Sequence, residues 1–121
     1  MQGTEPMTDV LFNKAHFLTS LADDEELARE LLEAFLQDSP ERTSELEAAI
    51  AADNAPAASK LAHSLKGMCG VVRSERLLKL ALEMEHLAKK GDMEKVGERF
   101  ALFTKAHREA VALMRGYMGQ N

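Results

Sequence analysis

Of the four histidines in this 121-residue sequence, His63 alone is surrounded by residues that could turn an imidazole into a reagent. At about 100° per residue, a helix through this segment sets Ser59, His63, Lys66, Gly67 and Gly70 in one narrow strip, on the side opposite Leu65. Two glycines there cost the helix roughly 1 kcal/mol each relative to alanine, and an exposed face has no packing reason to keep them. Glycine one turn beyond the histidine leaves the imidazole clear of neighbours, reachable by a bulky partner surface. Lys66 can place an ammonium beside whatever anion the histidine acquires. A nucleophilic histidine that accepts a phosphoryl group needs both features. Ser59, Lys60, Ser64, Gly67 and Gly70 form the expected partner-binding surface around it.

The remaining histidines lack such neighbours. His107 lies on the Phe103-to-Ala110 seam and reads as a packing residue, His86 falls almost opposite Met84 and should face water, and His16 belongs to a short helix where surface or capping use is the default. Glu83-x-x-His86 has the spacing used by di-iron carboxylate bundles, but those sites need a second such motif and further glutamates. No second Glu-x-x-His occurs, so no metal site is expected. A Gly-rich phosphate loop and an acidic cluster that would hold a nucleotide are also missing, so phosphate must arrive already activated.

The elements that must position this strip are all helical. Residues 1–9 read as a flexible tail, and a single domain is expected over 10–121. Leu11, Ala15 and Leu18 predict a short first helix, with Asp23 and Asp24 offering the next N-cap. From about 24 to 38, Leu27, Leu31, Leu32, Phe35 and Leu36 share a face. Ser39-Pro40 reads as a cap and first-turn proline that ends this helix and starts another, running to about Asp53 with Leu46, Ala49 and Ile50 inward. Asn54 and Pro56 repeat the signal before a helix over roughly 56–72, with its core stripe at Ala58, Leu61, Ala62, Leu65, Cys69 and Val72. Ser74 caps a helix that ends at Lys89-Lys90-Gly91, and Asp92 caps the longest, with a heptad-like seam from Val96 to Tyr117. The predicted fold is all-α, an antiparallel four-helix bundle with a short additional N-terminal helix.

Composition agrees with helices. The 45% apolar fraction contains only 5% aromatic residues and no Trp, so Leu, Ala, Met and Val must build the core. The lone Cys69 cannot form an internal disulfide, and no leader or membrane-length apolar run is evident, so a cytoplasmic protein without membrane association is expected. A net charge of −5 argues against nucleic-acid binding. Its distribution is uneven: residues 1–58 hold 13 acids against 3 bases, residues 59–121 hold 7 against 12, and the basic excess begins beside His63. Such asymmetry can steer a charged partner.

His63-Ser64-Leu65-Lys66-Gly67 resembles the H-x-L-K-G signature of histidine-phosphotransfer domains. The likeness runs from about Phe12 onward, through Phe35-Leu36-Gln37-Asp38-Ser39-Pro40, Glu75-Arg76-Leu77 and the stretch from Met84-Glu85 to Gly91-Asp92. It implies a phosphocarrier without autokinase activity, monomeric, whose His63 Nε2 is phosphorylated and relieved by aspartates of receiver domains. The implied partners are response-regulator receivers and a hybrid sensor histidine kinase. No cofactor is implied on this chain, because the receiver supplies Mg²⁺. Lys66 would stabilise the phosphoryl group. In the family a polar side chain of the next helix often supports the imidazole through Nδ1, and a hairpin turning near Arg73 would bring Glu85 level with His63; the alternative is a solvated glutamate. The sequence departs from the family pattern at Met68, Val71 and Arg73, where small residues, Asn and a helix-ending Gly are usual. Altered partner preference is expected there before lost activity. Met1 favours a separate protein over the detached end of a hybrid kinase. A non-catalytic adaptor or scaffold bundle that docks receiver or kinase domains would share every core feature, but it would not explain the strip.

Overall fold

The chain reverses direction three times by one device. A computed structural model describes residues 10–119, and the expected tail over 1–9 lies outside them. Five helices follow in order: α1 (Lys14–Ser20), α2 (Glu25–Ala51), α3 (Ala55–Val71), α4 (Glu75–Lys89) and α5 (Met93–Tyr117). After α2, α3 and α4 one residue turns left-handed, Asp53 (φ 54°), Arg73 (φ 59°) and Gly91 (φ 77°) respectively. The amide of the next residue then reaches back five positions to close the helix, Asn54 to Ala49, Ser74 to Cys69 and Asp92 to Leu87, at 2.9–3.0 Å. That same residue stands at the N-cap of the following helix. Connections this short force neighbouring helices antiparallel and produce the four-helix bundle, with α1 added at its N-terminal side.

The helix starts are mostly as the sequence predicts. Asp24, Asn54 and Asp92 accept from the amides of Leu27, Ala57 and Lys95. Ser74 differs. It occupies the cap position, yet its buried Oγ has no hydrogen-bond partner among the described residues. The segment preceding α1 supplies an acceptor instead, the Val10 carbonyl 3.0 Å from the Arg76 amide. The first helix also starts later than expected. Asn13 caps it through the His16 amide, Phe17 is its buried anchor, and Leu11 and Phe12 pack from outside the helix while Ala15 is exposed.

The expected break at Ser39-Pro40 does not occur, and α2 runs unbroken for 27 residues. Pro40 lies on the exposed side, where its missing N–H deprives only the Leu36 carbonyl of a donor. Stopping there would divide a face on which Ala28, Leu32, Phe35, Leu46 and Ala49 are all buried. Ser39 is no cap. It is fully buried, its Oγ is 2.8 Å from His107 Nε2 on α5, and its carbonyl accepts from Thr43 Oγ1 at 2.7 Å.

The core joins all five helices. On α3 the predicted stripe is buried at Ala58, Ala62, Leu65, Cys69 and Val72, with Leu61 half-buried at its edge. Burial pushes the Cys69 thiol up to about 12, which removes it from thiolate chemistry. Helices α3 and α4, joined by the turn at Arg73, pack against each other more extensively than any other pair among the described residues.

An arginine at φ 59° carries a left-handed penalty that glycine avoids. Arg73→Gly should therefore raise stability by up to about 1 kcal/mol, read as a higher denaturant midpoint with unchanged slope. A lower midpoint would mean that the arginine side chain contributes contacts exceeding its backbone strain.

Candidate functional site

From the Arg73 turn, α3 and α4 run side by side and bring four polar residues together. His63 points outward with 65% of its side chain exposed, and its Nδ1 lies 2.9 Å from Glu85 Oε2 on α4. An ionised carboxylate has no proton to give, so Nδ1 is the donor and Nε2 is the free nitrogen of the neutral ring. Lys66 Nζ, from α3, approaches Glu85 Oε1 to 3.0 Å, and Lys89 Nζ, one turn after Glu85 on α4, approaches Oε2 to 3.3 Å. Oε1 makes no directional hydrogen bond among the described residues, so the Lys66 approach is a contact between charges.

Glu85 is only 5% exposed, because these side chains cover it near the surface. Desolvation pushes its carboxyl up, but the Lys66 ammonium, the hydrogen bond from His63 and the Lys89 ammonium outweigh that effect and hold it at about 2. Glu85 is thus an anion that takes no proton from the imidazole near neutral pH.

The other strip residues divide by exposure. Gly67 is exposed, and a Cβ built there would meet nothing within 4 Å among the described residues. Lys60 is exposed and Ser64 half-buried, while Ser59 lines a shallow recess between the start of α3 and the end of α4. Gly70 corrects the expectation of an open face. A Cβ there would stand 3.3 Å from Leu78 Cδ1, so this glycine does have a packing reason: α4 approaches closely near the hairpin turn. Lys89 was not anticipated as part of the site, since bases at a helix end are accounted for by the helix dipole alone. Its spacing of four residues from Glu85 was the available signal.

The other histidines stand apart from the site. His107 is buried, stacked 5.9 Å from Phe103 and bonded to Ser39, and burial lowers its pKa. His86 is exposed and His16 half-buried. Glu83 is paired with Arg99 Nε at 3.2 Å. No cluster of three or more His, Cys, Asp or Glu that could hold a metal occurs among the described residues, and no described helix is long and apolar enough to cross a membrane.

The family model of the Hpt domain matches residues 30–115. Among solved structures, the chain is similar to histidine-containing phosphotransfer protein B (HptB) from Pseudomonas aeruginosa PAO1, with a TM-score of 0.81 and 24% identity over 88% of this chain and 92% of that one. At that identity the likeness is one of fold. Comparison with curated proteins gave no match.

The folded pKa of Glu85 lies below its ordinary value of 4.5, so its pairing stabilises the protein fully above that pH. This contribution is lost as pH falls from about 4.5 towards 2. A carbon-13 titration should place the Glu85 midpoint near 2, and Glu85→Gln should flatten the loss of stability across the same window. A midpoint at 4.5 would mean that the cations do not hold the carboxylate in solution.

Proposed function

The chain belongs to the Hpt domain family, the phosphocarriers of phosphorelays, and on that premise we propose that His63 accepts a phosphoryl group from a receiver-domain aspartate and passes it to another receiver. The observation that carries this reading is the exposed His63 ring with its Nδ1 bound to the ionised Glu85. That bond fixes the tautomer and leaves the Nε2 lone pair as nucleophile. As the N–P bond forms, the aspartyl O–P bond breaks and its electron pair returns to the receiver carboxylate. Nδ1 keeps its proton, and the ring becomes an imidazolium opposed by Glu85. Lys66 serves the phosphoryl group, whose charge of about −1.5 to −2 competes with Glu85 for the ammonium.

Gly67 provides room for the partner, because open space surrounds its missing side chain. The contact surface comprises Ser59, Lys60, Ser64, Gly67 and the surroundings of Gly70. The basic excess after residue 58 suits the acidic pocket in which a receiver holds Mg²⁺. The partners are response-regulator receivers, that of a hybrid sensor kinase included. In this reading the domain spans 10–121 and works in the cytoplasm with them, without autokinase activity.

The test is transfer of labelled phosphate from a panel of phosphorylated receivers. Wild type and the single variants of His16, His86 and His107 should take label that is labile in acid and comparatively stable in alkali, while His63→Gln takes none. Label retained by His63→Gln, or acquired from ATP alone, would refute the assignment; failure with every receiver would favour a docking adaptor. Two variants examine the supporting roles. Lys66→Ala should slow transfer on the order of tenfold. Gly67→Gln should melt at or slightly above the wild-type temperature, glycine being a poor helix former, yet transfer sharply more slowly. Normal exchange by Gly67→Gln would remove the steric argument.

A further inference from the structure

Glu85 holds more cations than the orientation of one imidazole requires. Lys66 meets Oε1 from α3, while Lys89 shares Oε2 with His63 Nδ1 from α4. The carrier role of His63 gives Lys66 a second anion to serve, one turn away on its own helix. Were Lys66 the sole ammonium on Glu85, its departure at each phosphorylation would leave a covered carboxylate with the imidazolium alone, at the moment a phosphoryl anion arrives beside it. The carboxylate would then hold Lys66 back from the phosphoryl group.

We propose that Lys89 is a positioning residue, which keeps the Glu85 carboxylate against His63 Nδ1 while Lys66 leaves Oε1 for the phosphoryl group. The inference rests on the carrier reading of His63. It gives each anion of the phosphorylated site one ammonium, Lys89 for the carboxylate and Lys66 for the phosphoryl oxygens. The geometry suits a stationary partner: Lys89 stands four residues from Glu85 on one helix, so their separation does not depend on what happens on α3. Its own side chain is 61% exposed, but the carboxylate that it meets is 6% exposed, which leaves that carboxylate little water as a substitute. The depressed carboxyl pKa agrees with an anion held by more than one cation.

A plain alternative is that Lys89 only attracts the acidic face of a receiver. Lys90, its exposed neighbour, has no ion pair among the described residues and serves as the control. Single-turnover transfer from a labelled, phosphorylated receiver at saturating concentration removes attraction from the rate. Lys89→Met should then slow transfer about two- to fivefold, the range of a partly exposed ion pair. Lys89→Arg should restore it, and Lys90→Met should match wild type. In a Glu85→Gln background Lys89→Met should add nothing, because the group through which it acts is gone. Nitrogen-15 NMR of the phosphorylated protein should show the Nδ1 signal displaced by Lys89→Met and not by Lys90→Met.

An unchanged rate in Lys89→Met would overturn the proposal, as would an equal loss in the Glu85→Gln background or an equal loss from Lys90→Met. Lys89 is exposed enough that its variants should fold, which their melting curves check. Failure of the carrier reading looks different: His63→Gln would then retain label whatever stands at 89.

Discussion

A carboxylate withdrawn from water must be matched by cations or lose its charge, and Glu85 meets that demand from two helices at once. His63 and Lys66 reach it from α3, and Lys89 from α4. The arrangement holds only if α3 and α4 keep their relative height, because sliding either by one residue would rotate its side chains by about 100°. Much of the fold can be understood as fixing that height. The left-handed Arg73 closes the hairpin in the fewest residues, and Gly70 lets Leu78 come close beside it. Leu65 and Met84, both fully buried, anchor the inner faces of the same two helices.

The other half of the bundle uses a different kind of tie. Ser39 and His107 are buried between α2 and α5 and satisfy one another without a net charge. Burial that favours the neutral ring also favours this pairing, and stacking on Phe103 gives the imidazole an apolar surround. Two histidines on one scaffold thus have opposite fates. One is largely exposed beside an anion, and the other is enclosed by aromatic rings with a hydroxyl as its polar contact.

The sequence made the candidate strip legible because spacing on a single helix needs no tertiary information: that His63, Lys66 and Gly67 share a face follows from periodicity. The role of α4 was legible only through the family resemblance and an assumed hairpin, which together brought Glu85 level with His63 but left a solvated glutamate as the alternative; that Lys89 reaches the same carboxylate was not read. The spacing of four residues allowed that pair, but its significance depends on α3 bringing His63 to the same carboxylate, which is a tertiary fact. Local signals failed where tertiary packing overruled them. Pro40 looked like a helix start, yet the apolar face on both sides of it outweighs one lost hydrogen bond. Ser74 does stand at the cap, yet its side chain makes no cap bond, and a carbonyl from a distant segment supplies an acceptor at that helix start. Gly70 looked exposed because a helical wheel has no neighbouring helix drawn on it.

The turns between the long helices have a consequence for how such a chain can drift in length. Asn54, Ser74 and Asp92 each close one helix through their amide and stand at the cap of the next. No residue between those helices is spare. An added or deleted residue would separate two duties that now fall on one position and would turn the following helix about its axis; at Asn54 or Ser74 that would carry the face bearing His63 or Glu85 away from its counterpart. A change of length is therefore least tolerable at these three turns, where the residue count is set by backbone geometry and leaves side-chain identity comparatively free.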